Sequence, residues 1–349
     1  MPSIDNYPYL DPAKDRRVAI ITGGNSGIGF YTVLQLYLHG YIIYIAGRSR
    51  SRCNKSIKEL QIKAYEILDS TYSTNNEESD NDNLIELTKI KNRKLGELHY
   101  LELDLSSLQS VLKAVETFKQ KEDFLHLLIN NAGAMAVPYT LTQDNFEIQL
   151  QTNFISPFLL TLKLLPILEK TKDKFPNIIE TPRVIYLSSI GHQIAIKYFN
   201  LKKPMNYRPD FVFTWVRYGI AKTAGIHFMK MLALRNPKVL CLIVHPGFVM
   251  NPNIFTYWTN LPIVGILFWC FFQIFAYFFG VTPEQGSEEV LKESLNSNFV
   301  IEKNNGEYFG PGGKEIQPSK IANNMDYAAR TWIWTIHELN ERGIAIDGS

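Results

Sequence analysis

Short apolar runs alternate with helix-length amphipathic segments along most of this chain, from Arg17 onward. The apolar runs are rich in Val, Ile, Leu and Tyr, whereas apolar positions in the longer segments recur at helical spacing. This alternation predicts β-strands that are joined by α-helices. The predicted strands lie within residues 18–22, 41–47, 98–105, 124–133, 182–189 and 239–247, with a further short strand at 306–310.

Helices are predicted between these strands, and strands that alternate with helices favour a parallel sheet covered on both faces. The predicted fold class is therefore α/β, with a doubly wound parallel sheet. The chain has 349 residues, which a single α/β domain with insertions can accommodate. The predicted helices lie at 28–40, 51–68, after Ser106, at 143–168, 218–234 and 283–295, and at the C-terminus at 323–342.

Two segments interrupt the predicted core, which spans about residues 17–310. Residues 69–95 begin with a polar, acidic stretch that lacks large apolar groups, so we expect a solvated insertion that ends the second helix. Residues 254–281 contain an uncharged apolar run, LPIVGILFWCFFQIFAYFFG, from Leu261 to Gly280. We expect the second segment to be a lid or a membrane-associating element.

Composition narrows the class of partner. Hydrophobic residues make up 46% of the chain and the formal net charge is +2, so no nucleic-acid partner is expected. The three cysteines lack the spacing of a zinc site or a disulfide framework, the histidines show no ligand spacing, and no metal is predicted. A reducing compartment fits best, and the N-terminal sequence MPSIDNYPYLDPAKDRR lacks the features of a cleaved secretory signal.

A glycine-rich stretch, TGGNSGIG, follows the first predicted strand and precedes the first predicted helix. Glycines allow a tight turn there, and the helix N-terminus can hold a pyrophosphate group. The alternative is an ordinary strand-to-helix turn without a ligand. The predicted cofactor-binding residues of this turn are Gly23, Asn25, Ser26, Gly27, Ile28 and Gly29.

The end of the second predicted strand indicates which dinucleotide is bound. NAD-binding sites usually carry Asp or Glu there, whereas this chain has no acid and several arginines, beginning with Arg48. A guanidinium group suits the 2′-phosphate of NADP(H), so Arg48 is the predicted determinant of that cofactor. For Arg50 and Arg52 the alternative is a solvated helix start.

Tyr218 and Lys222 lie four residues apart on one predicted helix, so their side chains share a face. A tyrosine has an ordinary pKa near 10 and needs a nearby cation to transfer a proton at neutral pH. The Lys222 ammonium group can supply that cation. The pair occurs by chance in many helices, so its interpretation depends on the surrounding motifs.

With these motifs in order, the chain resembles the short-chain dehydrogenase/reductase family from about Arg17 to Phe309. The motifs are TGGNSGIG, NNAG at 130–133, YLSS at 186–189, YGIAK at 218–222 and HPGFV at 245–249. Within the family the chain is most similar to the retinol-dehydrogenase-like group, including fungal members on lipid droplets. This resemblance implies a single Rossmann-like domain.

The resemblance also implies catalytic roles. Tyr218 would be the general acid and base, Lys222 would bind the nicotinamide ribose and lower the pKa of Tyr218, and Ser189 would bind the substrate oxygen. Asn153 resembles the family's helix asparagine, which links the lysine to solvent through a water. Two alternatives stay open: Ser188 instead of Ser189 faces the site, or Asn153 lies on a helix surface.

Further cofactor contacts are implied at three places. Asp104 resembles the residue that contacts adenine, although it could instead cap the helix that follows. Asn131 would lie beside the adenosine ribose. The turn after the last long strand would contribute Pro246, Gly247 and Val249, and Asn251 stands where the family has a threonine that contacts the nicotinamide carboxamide.

Together these features predict an NADP(H)-dependent oxidoreductase that transfers a hydride between nicotinamide and a lipophilic carbonyl or alcohol of the retinoid, sterol or fatty aldehyde class. The alternatives are a non-catalytic NADP(H)-binding scaffold at a membrane or lipid droplet, and a soluble reductase of small polar carbonyls. A homodimer is left open.

The apolar run is long enough to span a bilayer core, which needs about 20 residues. Parts of the same predicted sheet flank it on both sides, so one crossing would divide the domain. We therefore predict that 254–281 enters and leaves on one face, dipping into lipid at the cytosolic face of the endoplasmic reticulum or at a lipid droplet. The alternative is a lid that packs on the domain itself.

Overall fold

A computed structural model describes residues 7–75, 92–175, 181–197, 199–202, 205–249, 259 and 265–346. Its centre is one eight-stranded sheet in the order β3-β2-β1-β4-β5-β6-β7-β8, in which only β8 runs antiparallel to its neighbour. The strands are β1 Val18–Thr22, β2 Ile42–Gly47, β3 Glu97–Glu102, β4 Leu127–Asn130, β5 Arg183–Leu187, β6 Leu240–Val244, β7 Tyr308–Gly310 and β8 Lys314–Glu315.

Helices connect the parallel strands and cover both faces of the sheet. The described helices are α1 Gly27–Leu38, α2 Arg50–Asn75, α3 Leu108–Lys119, α4 Ile148–Leu150, α5 Ser156–Lys174, α6 Asp210–Arg235, α7 Gly265–Phe279, α8 Pro283–Leu295, α9 Ile301–Asn304 and α10 Met325–Glu341. A π-helical turn, Gln151–Ile155, joins α4 to α5, and a 3₁₀ helix, Ile190–Lys197, follows β5.

Alternate residues of each central strand enter two separate cores. Ile20 and Tyr44 pack in the core on one face, and Ile21 and Ile43 pack in the core on the other. Residues of β1, β5 and β6 are buried throughout, as is typical of parallel strands covered on both faces. The predicted α/β class with a doubly wound parallel sheet is thus confirmed.

Three helices differ from their predicted extents, and one of them is α6, which starts at Asp210 instead of Tyr218. The second helix was expected to end at Leu68, yet α2 continues to Asn75 because residues 69–75 include no glycine or proline to stop it. The expected helix at 143–168 starts only at Ile148, after a turn in which Asn145 has a positive φ of 59°. Of the predicted insertion 69–95, residues 76–91 lie outside the described residues.

Within the connection from β6 to β7, the segment between Val249 and Val281 has its two ends side by side. Val249 and Val281 form a parallel bridge, and the Val281 N–H donates to the Phe248 carbonyl at 2.9 Å. Between them the structure describes Thr259 and α7, whereas 250–258 and 260–264 lie outside the described residues. No described helix has both the length and the apolar character needed to cross a membrane.

The C-terminal segment packs against α6. The His227 ring on α6 bonds the Thr331 hydroxyl at 2.9 Å and the Ile321 carbonyl at 2.8 Å. Trp332 of α10 packs edge-on against Phe158 of α5, with ring centroids 5.0 Å apart. The observed α10, Met325–Glu341 with Asn324 as its N-cap, lies within the predicted range 323–342.

Candidate active site

A cavity of about 1080 Å³ opens where the carboxyl ends of the central strands meet. Parallel strands all end at this edge, and ligands of open α/β sheets bind there. The cavity extends from the glycine turn before α1 to the N-terminal half of α6. Its wall includes Asn25, Ser26, Ile28, Asn131, Gly133, Ser188, Ser189, Tyr218, Lys222, Pro246, Gly247 and Val249.

The glycine turn leaves room for a ligand's phosphate groups. Gly23 and Gly27 have positive φ angles of 66° and 58°, which favour glycine. A Cβ at Gly29 would lie 2.5 Å from the Gly23 carbonyl oxygen, so only glycine fits there. The Asn131 amide donates to the Thr22 carbonyl at 2.7 Å and thereby holds the turn against the end of β4.

The N-terminus of α1 points its first N–H groups toward this turn, where an anion is stabilised by the helix dipole. Ser26 occupies the N-cap position in an extended conformation and makes no side-chain capping bond. Asn25, Ser26 and Ile28 line the cavity. The turn and the helix N-terminus therefore fit the pyrophosphate of a nicotinamide dinucleotide.

Tyr218 and Ser189 lie together at the wall of the cavity. Burial raises the pKa of Tyr218 to about 12, and a hydrogen bond with Ser189 acts in the opposite direction. The Ser189 hydroxyl also accepts from the Gly191 N–H at 3.1 Å. Ser188 lines the cavity too, but the serine that bonds Tyr218 is Ser189.

Lys222 is buried beside this pair. Its ammonium group donates to the Leu187 carbonyl at 2.7 Å and lies 5.7 Å from the Tyr218 ring centroid. Burial lowers the pKa of Lys222 to about 7. The sequence predicts that Lys222 lowers the pKa of Tyr218, yet that pKa is raised, because desolvation dominates for both groups.

Asn153 lies in the π-helical turn and is 1% exposed, so it is not on a helix surface. Its side chain pairs with the backbone of Ala134, accepting from the N–H at 2.9 Å and donating to the carbonyl at 2.7 Å. Its own carbonyl accepts from the Tyr186 hydroxyl at 2.8 Å. A Cβ at Gly133 would lie 2.6 Å from Asn153 Oδ1 and 3.6 Å from Lys222 Nζ, so both groups border the same point.

The predicted residues at the adenosine end are less close to the cavity. Arg48 is exposed and does not line it, whereas Arg52 and Lys55 of α2 do. The Asp104 carboxylate accepts from the Ser106 N–H at 2.9 Å and from its hydroxyl at 2.6 Å. Asp104 is not the cap of α3, because Ser107 takes that position.

The turn after β6 forms another part of the cavity wall. Gly247 has a positive φ of 85°, and a Cβ there would lie 3.2 Å from the Val281 side chain. Pro246, Gly247 and Val249, which the sequence predicts as cofactor contacts, all line the cavity. Asn251 lies outside the described residues.

Comparison with known proteins agrees with this geometry. A sequence profile described as short chain dehydrogenase matches residues 74–191. The short-chain dehydrogenase/reductase drtF of Aspergillus calidoustus is 33% identical, over 96% of this chain and 97% of its own length. The chain belongs to the short-chain dehydrogenase/reductase family.

Other similarities extend over most of the chain. Retinol dehydrogenase 12 of Mus musculus is 31% identical over 90% of this chain and 84% of its own length. A crystal structure of an uncharacterized protein from Mycobacterium paratuberculosis has the same fold, with a TM-score of 0.64, 22% identity and 98% coverage of both chains. Family membership makes this protein an NAD(P)-dependent dehydrogenase or reductase and confirms the resemblance found in its motifs.

Several cavity residues were not predicted from the sequence, although Phe248 lies within the HPGFV motif. They are mainly apolar: Met135, Val137, Ile194, Trp215 and Phe248. The sequence does carry a signal for Trp215. This residue precedes Tyr218 by three positions on the same helix, so the two side chains must share a face. Within the described residues, no group of three His, Cys, Asp or Glu side chains could hold a metal ion.

The lowered pKa of Lys222 predicts a dependence of stability on pH. The unfolded chain binds the Lys222 proton up to its ordinary pKa of 10.5, whereas the folded chain releases it near 7. The free energy of unfolding therefore gains a contribution as pH rises from about 7 to 10.5. We expect Lys222→Met to be at least as stable as the wild type at pH 7, with the wild type gaining on it as pH rises.

Urea unfolding across this pH range measures the difference, with the exposed Lys58→Met as control. The control accounts for the loss of a lysine side chain at an exposed position of α2. A difference between the wild type and Lys222→Met that stays constant across this pH range would contradict the prediction.

Proposed function

We propose that this protein transfers a hydride between NADP(H) and a lipophilic carbonyl or alcohol at a lipid surface. The observation that carries the proposal is the position of Ser189, Tyr218 and Lys222 on one cavity wall that continues to the glycine turn. Hydride transfer needs a carbonyl held between an acid and a nicotinamide ring. One continuous cavity contains both the proposed acid, Tyr218, and the glycine turn where the cofactor would bind.

In the reducing direction, the substrate oxygen accepts hydrogen bonds from the Ser189 and Tyr218 hydroxyls. NADPH, held at the glycine turn, would supply the hydride, and the Tyr218 hydroxyl gives its proton to the substrate oxygen. With a pKa of about 12, Tyr218 is protonated at neutral pH, which is the state that reduction requires. Lys222 binds the nicotinamide ribose, and Asn153 borders Lys222 at Gly133. Oxidation uses the same groups in reverse.

The lipophilic substrate class follows from the cavity wall and from the relatives. Met135, Val137, Ile194, Trp215 and Phe248 contribute apolar surface to the cavity that Tyr218 lines. An apolar wall binds a hydrocarbon chain or ring better than a small polar carbonyl. The name of the relative retinol dehydrogenase 12 is consistent with such a substrate.

NADP(H) is preferred over NAD(H) because α2 begins with basic residues and no acid. Arg48 follows β2 directly, and Arg52 and Lys55 line the cavity one and two turns further on. We propose that Arg48 and Arg52 together bind the 2′-phosphate, since guanidinium groups pair with phosphate through two parallel hydrogen bonds. Asp104 and Asn131 are the proposed contacts of the adenosine.

The lipid surface is proposed from α7. Ile266 is 74% exposed and Tyr277 is 85% exposed, and Leu267, Trp269, Ile274 and Phe278 are exposed as well. A helix with this many exposed apolar side chains favours a lipid interface. Because Val249 and Val281 are paired, 254–281 leaves and returns on one side of the domain, as a monotopic lid would. A lipid droplet or the cytosolic face of the endoplasmic reticulum is the proposed location.

The first test concerns catalysis. Tyr218→Phe keeps the ring but removes the proton donor, so we expect turnover of NADPH with a panel of retinoid, sterol and fatty aldehydes and ketones to fall at least about a hundredfold. Tyr44→Phe, which removes another buried hydroxyl far from the cavity, is the control and should keep its turnover. A wild type that binds NADPH and reduces none of these compounds would favour the scaffold alternative.

The second test concerns the cofactor. Arg48→Asp and Arg52→Asp should each weaken NADPH binding by about 1.5 to 3 kcal/mol, the worth of one charged hydrogen-bonded pair. NADH binding should change much less, because it lacks the 2′-phosphate. Lys58→Asp makes the same charge change at an exposed position of α2 outside the cavity. Equal losses of NADPH affinity in all three variants would mean that binding depends on the net charge of this region and not on Arg48 or Arg52 themselves.

The third test concerns the lid. Replacing residues 257–279 by a short Gly/Ser bridge should release the protein into the soluble fraction while NADPH binding persists, because the paired ends stay in place. Ile266→Gln combined with Trp269→Gln and Tyr277→Gln should weaken flotation with lipid droplets in the same direction.

The matched control is Ile62→Gln with Tyr65→Gln, which removes exposed apolar groups from α2. If the α7 variant floats as well as this control, the anchor lies elsewhere in the chain.

A further inference from the structure

His192 connects three parts of the chain behind the proposed active site. Its ring Nδ1 lies 2.6 Å from the Ser189 carbonyl oxygen, and its Nε2 lies 3.0 Å from the Ser319 main-chain nitrogen. Its own carbonyl accepts from the Thr223 hydroxyl at 3.2 Å. Thr223 follows Lys222 directly, so one residue joins the serine turn, the tyrosine helix and the C-terminal segment.

The two ring contacts fix one tautomer of His192. The Ser189 carbonyl can only accept, so Nδ1 carries the hydrogen. The Ser319 N–H can only donate, so Nε2 is the bare nitrogen. Burial lowers the pKa of His192, although the bond to Ser189 acts in the opposite direction, so the neutral ring that these bonds need is favoured. His192 is 2% exposed and both nitrogens have a partner.

The turn that His192 holds shapes both hydroxyl-bearing residues of the site. Within it, the Gly191 N–H donates to the Ser189 hydroxyl at 3.1 Å. A Cβ at Gly191 would lie 2.7 Å from the Tyr218 ring, so the turn backbone packs directly on that ring. A Cβ at Gly219 would lie 2.6 Å from the Gly191 carbonyl oxygen. A shift of this turn therefore moves Ser189 relative to Tyr218.

The C-terminal segment is held at two separate histidines. His227 binds it at Ile321 and Thr331, and His192 meets it at Ser319. Only His192 also contacts the turn that carries Ser189. Both histidines therefore bind the C-terminal segment, but His192 alone of the two also contacts the proposed site.

We propose that His192 is a positioning residue that sets the Ser189 hydroxyl against Tyr218 through its bond to the Ser189 carbonyl. This role rests on the proposed function, because it acts on the serine and tyrosine of that reaction. Weakening the bond between the His192 ring and the Ser189 carbonyl should lower kcat, since small misplacements of reacting groups cost large factors in rate. Binding of the cofactor, which lies on the glycine turn, should change little.

Two substitutions separate the contacts of the His192 ring. The amide nitrogen of His192→Asn can take the place of Nδ1 and still donate to the Ser189 carbonyl, but nothing reaches Ser319. The longer side chain of His192→Gln can accept from the Ser319 N–H, but it offers no donor at the Nδ1 position. His227→Asn and His227→Gln are the matched controls, because they weaken the same C-terminal docking without touching the turn.

The measurements are kcat and KM for a carbonyl that the wild type reduces, Kd for NADPH, and Tm. We expect His192→Gln to lose roughly ten- to hundredfold in kcat and His192→Asn to stay within about threefold of the wild type. Their Tm values should rank in the opposite order, with His192→Asn the less stable. The His227 variants should lose Tm while kcat stays within about threefold.

A purely structural role predicts instead that kcat follows Tm through all four variants, and that result would overturn the proposal. A crystal structure of His192→Gln gives a readout that needs no turnover: an unmoved Ser189 hydroxyl would also overturn it. Failure of the proposed function looks different, because it appears as residual turnover in Tyr218→Phe or as a wild type inactive on the whole panel.

Discussion

The parallel direction of β1, β4, β5 and β6 is the constraint on which the rest of this structure depends. Because these strands run the same way, their carboxyl ends meet at one edge, and the segments that follow them must line the same cavity. The glycine turn follows β1, Asn131 follows β4, Ser189 follows β5 and Pro246 follows β6. Residues far apart in sequence are therefore brought together by the direction of the strands alone.

Burial gives this edge its electrostatic character. Neither the phenol of Tyr218 nor the ammonium group of Lys222 is well solvated, and desolvation moves both toward their neutral forms. The charged forms of both groups are thus poorly stabilised. The exclusion of water therefore determines the protonation states in this site as much as the groups that the site contains.

Local patterns predicted the parts of the site that depend on local geometry. Glycines at a strand-to-helix turn, and a tyrosine and lysine four residues apart, are visible in sequence because the backbone alone sets their spacing. Six of the predicted strands and the helix at 283–295 appear where their periodicity placed them.

Features that depend on distant contacts were not predictable in this way. The π-helical turn that contains Asn153 is stabilised by the hydroxyl of Tyr186, which belongs to β5. Arg52 reaches the cavity only because of how α2 packs beside the glycine turn. The link from His192 to Ser319 joins residues more than one hundred positions apart. No periodicity or motif carries such information, since each contact exists only once the sheet has formed.

The pairing of Val249 with Val281 has a consequence for how this protein can change over evolutionary time. A chain segment whose two ends are fixed side by side adds little strain when it lengthens, because each doubling of a flexible loop costs only about 0.6 kcal/mol in closure entropy. The segment between these residues can therefore be exchanged, extended or recomposed without altering the registry of β6 and β7. Length and composition between Val249 and Val281 can in this sense vary while the sheet and the site at its carboxyl edge stay unchanged.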